Sequence, residues 1–131
     1  MNQRVAIIGA GPVGLVLALR LATLGIPSTV LEAEADIVEE LRASTFHPPT
    51  LDMLDTLDLG APLVAQGLVT PTWQIRRHED GARAVFDLGV LKDDTAHPYR
   101  LQAEQWRLSR LVVAKLRAEH AGMVDLRFGC R

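Results

Sequence analysis

An α/β fold built on a parallel sheet is the architecture that the sequence predicts, and three observations carry it. A short apolar, β-branched run at residues 5–8 passes directly into a glycine-rich turn at 9–14. A stretch of helical composition at 15–24 ends at Gly25, with Pro27 just beyond. A second apolar run at 28–31 ends on an acid, Glu32. Strand, helix and strand within about 30 residues have the length of a right-handed βαβ crossover unit.

Each element has its own local reason. Residues 5–8 read as a strand buried on both faces, as in a parallel sheet. Gly25 stands where a helix C-cap glycine belongs, and Pro27 cannot continue the helix. Residues 36–41 are expected as a short helix with Asp36 near its start. Residues 44–49 are expected as a connection, because two consecutive prolines stop a helix. Residues 50–59 read as a helix capped by Thr50 and ended by Gly60, with Leu51, Met53, Leu54 and Leu57 on its apolar face. Between 69 and 90 apolar and polar residues alternate around a turn at 78–82 that contains Asp80-Gly81, the signature of a hairpin. Residues 92–97 are a polar loop. Residues 103–120 are the last long helix, with Trp106, Leu108, Leu111, Val112 and Leu116 at helical spacing. Residues 124–128 read as a further strand.

Composition narrows the function. The 131 residues suffice for one domain with a core. A net charge of −2 without a basic stripe argues against a nucleic-acid partner. The single cysteine, Cys130, cannot form an internal disulfide, which fits a reducing compartment. His47, His78, His97 and His120 are scattered without metal-site spacing, so no metal is expected. The apolar run at 5–19 is interrupted by Gly9, Gly11, Pro12 and Gly14. It is too broken for a signal peptide and too short to span a bilayer, so a cytoplasmic protein without membrane contact is expected.

The chemistry-bearing motif is Gly9-Ala10-Gly11-Pro12-Val13-Gly14. A lone GxGxxG is weak, but this one leaves a strand and opens a helix, which is the context that dinucleotide binding requires. Gly9 makes the tight turn, Gly11 lets the backbone approach a pyrophosphate, and Gly14 lets helix and strand pack closely. The phosphates then face the unpaired N–H groups and positive dipole end of the helix. Glu32, 23 residues beyond Gly9, completes the pattern as an acceptor for ribose hydroxyls, with Ala33 beside it. A carboxylate there would repel a 2′-phosphate, which disfavours NADP in this pocket. The fold is therefore Rossmann-like, with FAD and NAD both open on this reasoning.

Three stretches resemble the single-component FAD-dependent aromatic hydroxylases, the para-hydroxybenzoate hydroxylase-like class. They are residues 5–15, the Arg42-Ala43 pair followed by the Thr50-Leu51 segment, and residues 101–111 with Gln102 and Gln105. The resemblance implies FAD as cofactor, NADH or NADPH as transient reductant, and O₂ with a small aromatic compound as substrates. It implies that Arg42 lies near the flavin or its pyrophosphate and that Gln105 bonds the cofactor near its ribityl chain, with Gln102 competing for that role. Pro49 stands where the class often has a second arginine. No catalytic residue is assigned, and the oligomeric state stays open.

On this reading, residues 1–131 are the N-terminal part of an FAD-binding domain. The βαβ unit is 1–34, the hairpin at 69–90 is directed toward a substrate domain further along, and the helix and strand at 103–128 return to the FAD domain. The family's second Gly-Asp motif is not among these residues, so the chain alone is expected to be inactive. Two alternatives stay open: another Rossmann-type FAD or NAD oxidoreductase, and a non-catalytic nucleotide-binding fragment.

Overall fold

Strand β1 (Val5–Ile8), helix α1 (Pro12–Thr23) and strand β2 (Ser28–Leu31) form the βαβ unit in the computed structural model, which describes residues 3–81 and 83–130. There follow β3 (Thr45–Phe46), α2 (Pro48–Asp55), α3 (Gly60–Val64), β4 (Leu68–Thr70), β5 (Thr72–Arg76), β6 (Arg83–Asp87), β7 (Arg100–Gln102), α4 (Gln105–Glu119) and β8 (Val124–Arg127). The chain divides into two compact units. One joins its two ends, up to Ala43 and from Glu104 on, and the other is Ser44–Ala103.

The first unit holds a parallel sheet in the order β1-β2-β8, with Val5 opposite Ser28 and Ser28 opposite Val124. Helix α1 packs on β2 and α4. Its buried residues, Leu15, Ala18, Leu19 and Ala22, follow the i, i+3, i+4, i+7 spacing of one helical face. Leu15 and Leu19 are fully buried, each contributing about 1.5–3 kcal/mol of transfer free energy. The helix ends as the sequence demands. Gly25 has φ +73°, and the N–H groups of Gly25 and Ile26 bond the carbonyls of Ala22 and Leu21, the two bonds of a Schellman cap.

Two expectations fail here. Strand β1 is not buried on both faces. Ile7 is buried, whereas Ile8 is 80% exposed and Val5 41%. Among the described residues β1 pairs only with β2, and α1 covers the face that carries Ile7. Side chains alternate along a strand, so Ala6 and Ile8 point away from that cover. Residues 36–41 form no helix. The Asp36 carboxylate accepts the N–H of Ile37, a local bond that competes with helix formation. Arg110 of α4 holds Asp36 and Glu39 at 2.9 Å each, which spreads the segment along α4.

The second unit holds the antiparallel sheet β3-β7-β4 and the hairpin β5-β6. Leu51, Leu54, Leu57, Leu59, Leu63, Phe46 and Leu101 form its core. Pro48 and Pro49 begin a helix instead of stopping one. They occupy the first turn of α2, where the N–H that proline lacks would be unpaired anyway. Thr50 therefore lies inside α2, and His47 takes the N-cap position. Gly60 opens α3 instead of closing α2, and a Cβ there would overlap the Asp55 carboxylate. The hairpin is tighter than 69–90, because Leu68–Thr70 pairs with β7. In it Trp73 lies opposite Phe86 and stacks on it, with ring centroids 4.2 Å apart. Ala82, the last residue of the expected turn, lies outside the described residues.

Candidate functional site

Residues Gly9, Ala10, Gly11, Pro12, Glu32, Arg42 and Gln105 line one cavity of about 400 Å³ within the first unit. They come from three distant stretches of chain. The βαβ unit delivers the turn and Glu32 to the same end of the sheet, because β1 and β2 are parallel and in register. The Gln105 N–H donates to the Ala43 carbonyl at 3.1 Å, which ties the start of α4 to the Arg42 segment.

The glycines divide by role. Gly9 has φ +99°, a backbone state that other residues rarely adopt. A Cβ on Gly11 would meet nothing within 4 Å, so the cavity approaches the bare backbone there. A Cβ on Gly14 would overlap the Gly9 carbonyl oxygen and lie 3.2 Å from Ile7 Cγ2. Gly14 thus serves packing and is not on the cavity wall. Helix α1 begins at Pro12 with Gly11 as N-cap and no side-chain cap. Its first-turn N–H groups at Val13 and Gly14 have no intrahelical acceptor, and with the dipole they suit an anion. Val13 is 82% exposed and, like Gly14, is not among the residues that line the cavity.

Glu32 is fixed by the loop that it faces. Its Oε2 accepts the Ala10 N–H at 2.6 Å and its Oε1 the Glu34 N–H at 3.0 Å. These bonds, that from Glu34 being the stronger influence, hold the carboxyl below the usual carboxylate range against a smaller opposing effect of burial. These bonds leave part of the carboxylate's acceptor capacity of about four positions, which can take ribose hydroxyls. Ala33 is exposed on the following turn and does not line the cavity. Arg42 is exposed and pairs with Glu40 at 3.2 Å. Surface pairs of this kind contribute about 1 kcal/mol or less, so the guanidinium can be drawn to a phosphate at small cost.

Gln102, the competitor of Gln105, sits on β7 in the other unit, where its Oε1 accepts the Thr45 hydroxyl. The cavity also uses Ile37, Val38, Trp106 and Ser109. Trp106 reads from sequence as a packing residue. The usable signal was its place beside Gln105, one turn before Ser109 on the same helix. A second constellation escapes linear spacing altogether: Asp52, Asp55 and His97 bring ligand-type atoms within 4.8 Å. Hydrogen bonds engage them. His97 Nε2 meets Asp55 at 2.6 Å, its Nδ1 meets the Tyr99 hydroxyl at 2.8 Å, and Asp52 accepts the Thr95 hydroxyl at 2.7 Å.

A turn bare of side chains at Gly11, an uncapped helix start and a ribose-type carboxylate fit an adenine dinucleotide, and similarity to known proteins selects FAD. The profile of the family described as "FAD binding domain" matches residues 2–131. The chain is 40% identical over 118 residues to the 6-hydroxy-3-succinoylpyridine 3-monooxygenase of Pseudomonas putida, covering 90% of this chain and 30% of that protein. It is 35% identical over 113 residues to a para-nitrophenol 4-monooxygenase of a Pseudomonas species, covering 86% and 28%. The crystal structure of the p-nitrophenol 4-monooxygenase of Pseudomonas putida superposes with a TM-score of 0.87 at 34% identity, over 97% of this chain and 32% of that one. The chain thus spans about 30% of the length of the curated relatives it matches. Among the described residues no helix is long and apolar enough to cross a membrane. The α/β fold with its parallel sheet is confirmed, and the chain belongs to the FAD binding domain family.

Proposed function

We propose that this chain is the FAD-binding part of a flavin-dependent monooxygenase that hydroxylates a small aromatic compound with NADH or NADPH and O₂. The observation that carries the reading is the single cavity that gathers Gly9–Pro12, Glu32, Arg42 and Gln105, in a chain whose relatives are named monooxygenases. Gly11 leaves room for the pyrophosphate, and the start of α1 offers it N–H groups. Glu32 accepts the adenosine ribose hydroxyls, beside the backbone turn at Ala33. Arg42 answers the phosphate charge from the rim. Gln105 hydrogen-bonds the cofactor toward its ribityl chain. These residues would hold FAD, which would supply the redox chemistry between the nicotinamide, O₂ and the substrate. The hairpin β5-β6 is directed toward a substrate domain, and the chain by itself is not catalytic.

Two measurements test this. The purified chain, mixed with FAD and freed of excess, should retain flavin absorbance at about 370 and 450 nm, and Glu32→Gln should weaken retention. A chimera of the 6-hydroxy-3-succinoylpyridine 3-monooxygenase carrying this chain in place of its matched 118 residues should hydroxylate that enzyme's substrate. A chimera that folds and binds flavin but forms no hydroxylated product would overturn the monooxygenase assignment.

A further inference from the structure

Past Glu32 the cavity continues along a segment that is pinned to the rest of the first unit at three places. The Glu34 carbonyl accepts the Gly129 N–H at 2.8 Å, and the Ala43 carbonyl accepts the Gln105 N–H at 3.1 Å. Between them Arg110 of α4 holds Asp36 and Glu39 at 2.9 Å each. Ile37 and Val38 of this segment and Trp106 and Ser109 of α4 border the cavity together. Ile37 and Ser109 are buried, so packing fixes their positions. The Trp106 ring is held as well. The Arg107 guanidinium lies over it, 4.7 Å from the ring centroid, and Glu104 holds that guanidinium at 2.9 Å. The cavity is therefore offered an aromatic wall that is already oriented.

The charge on this part of the wall selects what can lie there. Glu32, Glu34, Asp36 and Glu40 line the cavity, and Arg42 is the one cation among the described residues that do so. Arg42 pairs with Glu40 and stands next to Ala43, where the segment meets the start of α4. Around residues 34–38 the wall carries ionised carboxylates, which only accept hydrogen bonds. They oppose a phosphate and the carbonyl edge of an isoalloxazine, and they welcome an amino group. An indole and two aliphatic side chains suit the faces of a flat ring. Adenine meets both conditions, with π faces to stack and an exocyclic N–H₂ at its edge.

We infer that Trp106 is the platform on which the adenine of FAD stacks, with Ile37 and Val38 as its further apolar contacts. This rests on the reading of the glycine turn as the pyrophosphate site. It adds a specificity, because a cavity that holds its cofactor by the adenosine half rejects FMN, which has none.

The test is an NMR titration of the ¹⁵N-labelled chain with ADP, FMN and inorganic pyrophosphate as separate probes. The Trp106 indole N–H reports on the platform, the Gly9 and Gly11 amides report on the turn, and the Trp73 indole in the other unit is the internal control. ADP should move Gly11 and Trp106 together and saturably. Pyrophosphate should move Gly11 alone, and FMN should leave Trp106 in place. Trp106→Ala should weaken ADP about fivefold or more, whereas Trp106→Phe, which keeps a ring, should retain most of the affinity. A silent Trp106 while ADP moves Gly11 would overturn the proposal and leave the pyrophosphate site standing. An equal Trp106 shift with FMN or pyrophosphate, or wild-type ADP affinity in Trp106→Ala, would overturn it too. If ADP moves neither Gly11 nor Trp106, the pyrophosphate reading falls and this one falls with it.

Discussion

Replacing Gly14 and Gly11 in turn by alanine separates the two uses of a glycine in this turn. At Gly14 the new methyl would overlap the Gly9 carbonyl oxygen and press on Ile7 Cγ2 at 3.2 Å. The obstacle is backbone, so no rotamer change relieves it, and α1 must move off β1. Overpacking of this kind costs about 1–3 kcal/mol. Alanine's better helix propensity returns up to about 1 kcal/mol. Because the overlap is with backbone, the upper part of that range, about 2–3 kcal/mol, applies, and the net loss is about 1–2 kcal/mol, a fall in Tm of about 3–10 °C for a chain of this size. At Gly11 the methyl meets nothing within 4 Å, and φ is −70°, which alanine adopts freely. Only the N-cap preference for glycine is lost, about 0.5 kcal/mol. That methyl instead occupies the space where the backbone should touch pyrophosphate. FAD affinity should therefore fall tenfold or more, equivalent to about 1.4 kcal/mol. Thermal melts and flavin retention measured on both variants read the two effects. If Gly14→Ala melts with the wild type, or if Gly11→Ala loses as much stability as Gly14→Ala, the division of roles is wrong.

Three further perturbations follow from the same geometry. Glu32 has a folded pKa below its ordinary value of 4.5, so its contribution to stability is present above pH 4.5 and disappears as pH falls through the folded value. Glu32→Gln should accordingly flatten the acid limb of Tm against pH, and an unchanged limb would refute the linkage. Arg110→Met releases Asp36 and Glu39 from α4, and each exposed pair contributes about 1 kcal/mol or less. Amide exchange at Ile37 should quicken and FAD bind up to about fivefold more weakly, an effect that shrinks in high salt; identical exchange would show that the buried Ile37 side chain alone holds the segment. Asp55→Ala strands the Nε2 of the buried His97 and should cost about 1–3 kcal/mol in urea unfolding, whereas a neutral result would mean that water replaces the carboxylate.

The sequence was informative wherever the deciding forces act between near neighbours. Gly9 needs a positive φ, Gly25 caps α1, Asp80-Gly81 turns the hairpin, and alternation marks its two strands. Each follows from steric or hydrogen-bonding preferences spanning a few residues, and with Glu32 they make the βαβ unit legible. Local reasoning failed where a distant group decided the outcome. Residues 36–41 carry a helical pattern, yet Arg110, more than 70 positions away, draws two of their carboxylates along α4. Pro48 and Pro49 could either stop or start a helix, and the sequence pattern around them did not distinguish the two. The apolar run of β1 implied cover on both faces, but only the arrangement of α1 and β2 determined that Ile8 would stand open.

The cavity divides in the same way. By itself the sequence marked a dinucleotide-binding unit and brought Gly11 and Glu32, which line one cavity, into a single crossover unit. Only the tertiary structure put Gln105 and not Gln102 on the cavity wall, and brought Trp106 and Ser109 there with it. These are consequences of how α4 and β7 are placed, and packing across the chain sets that placement where no local preference can.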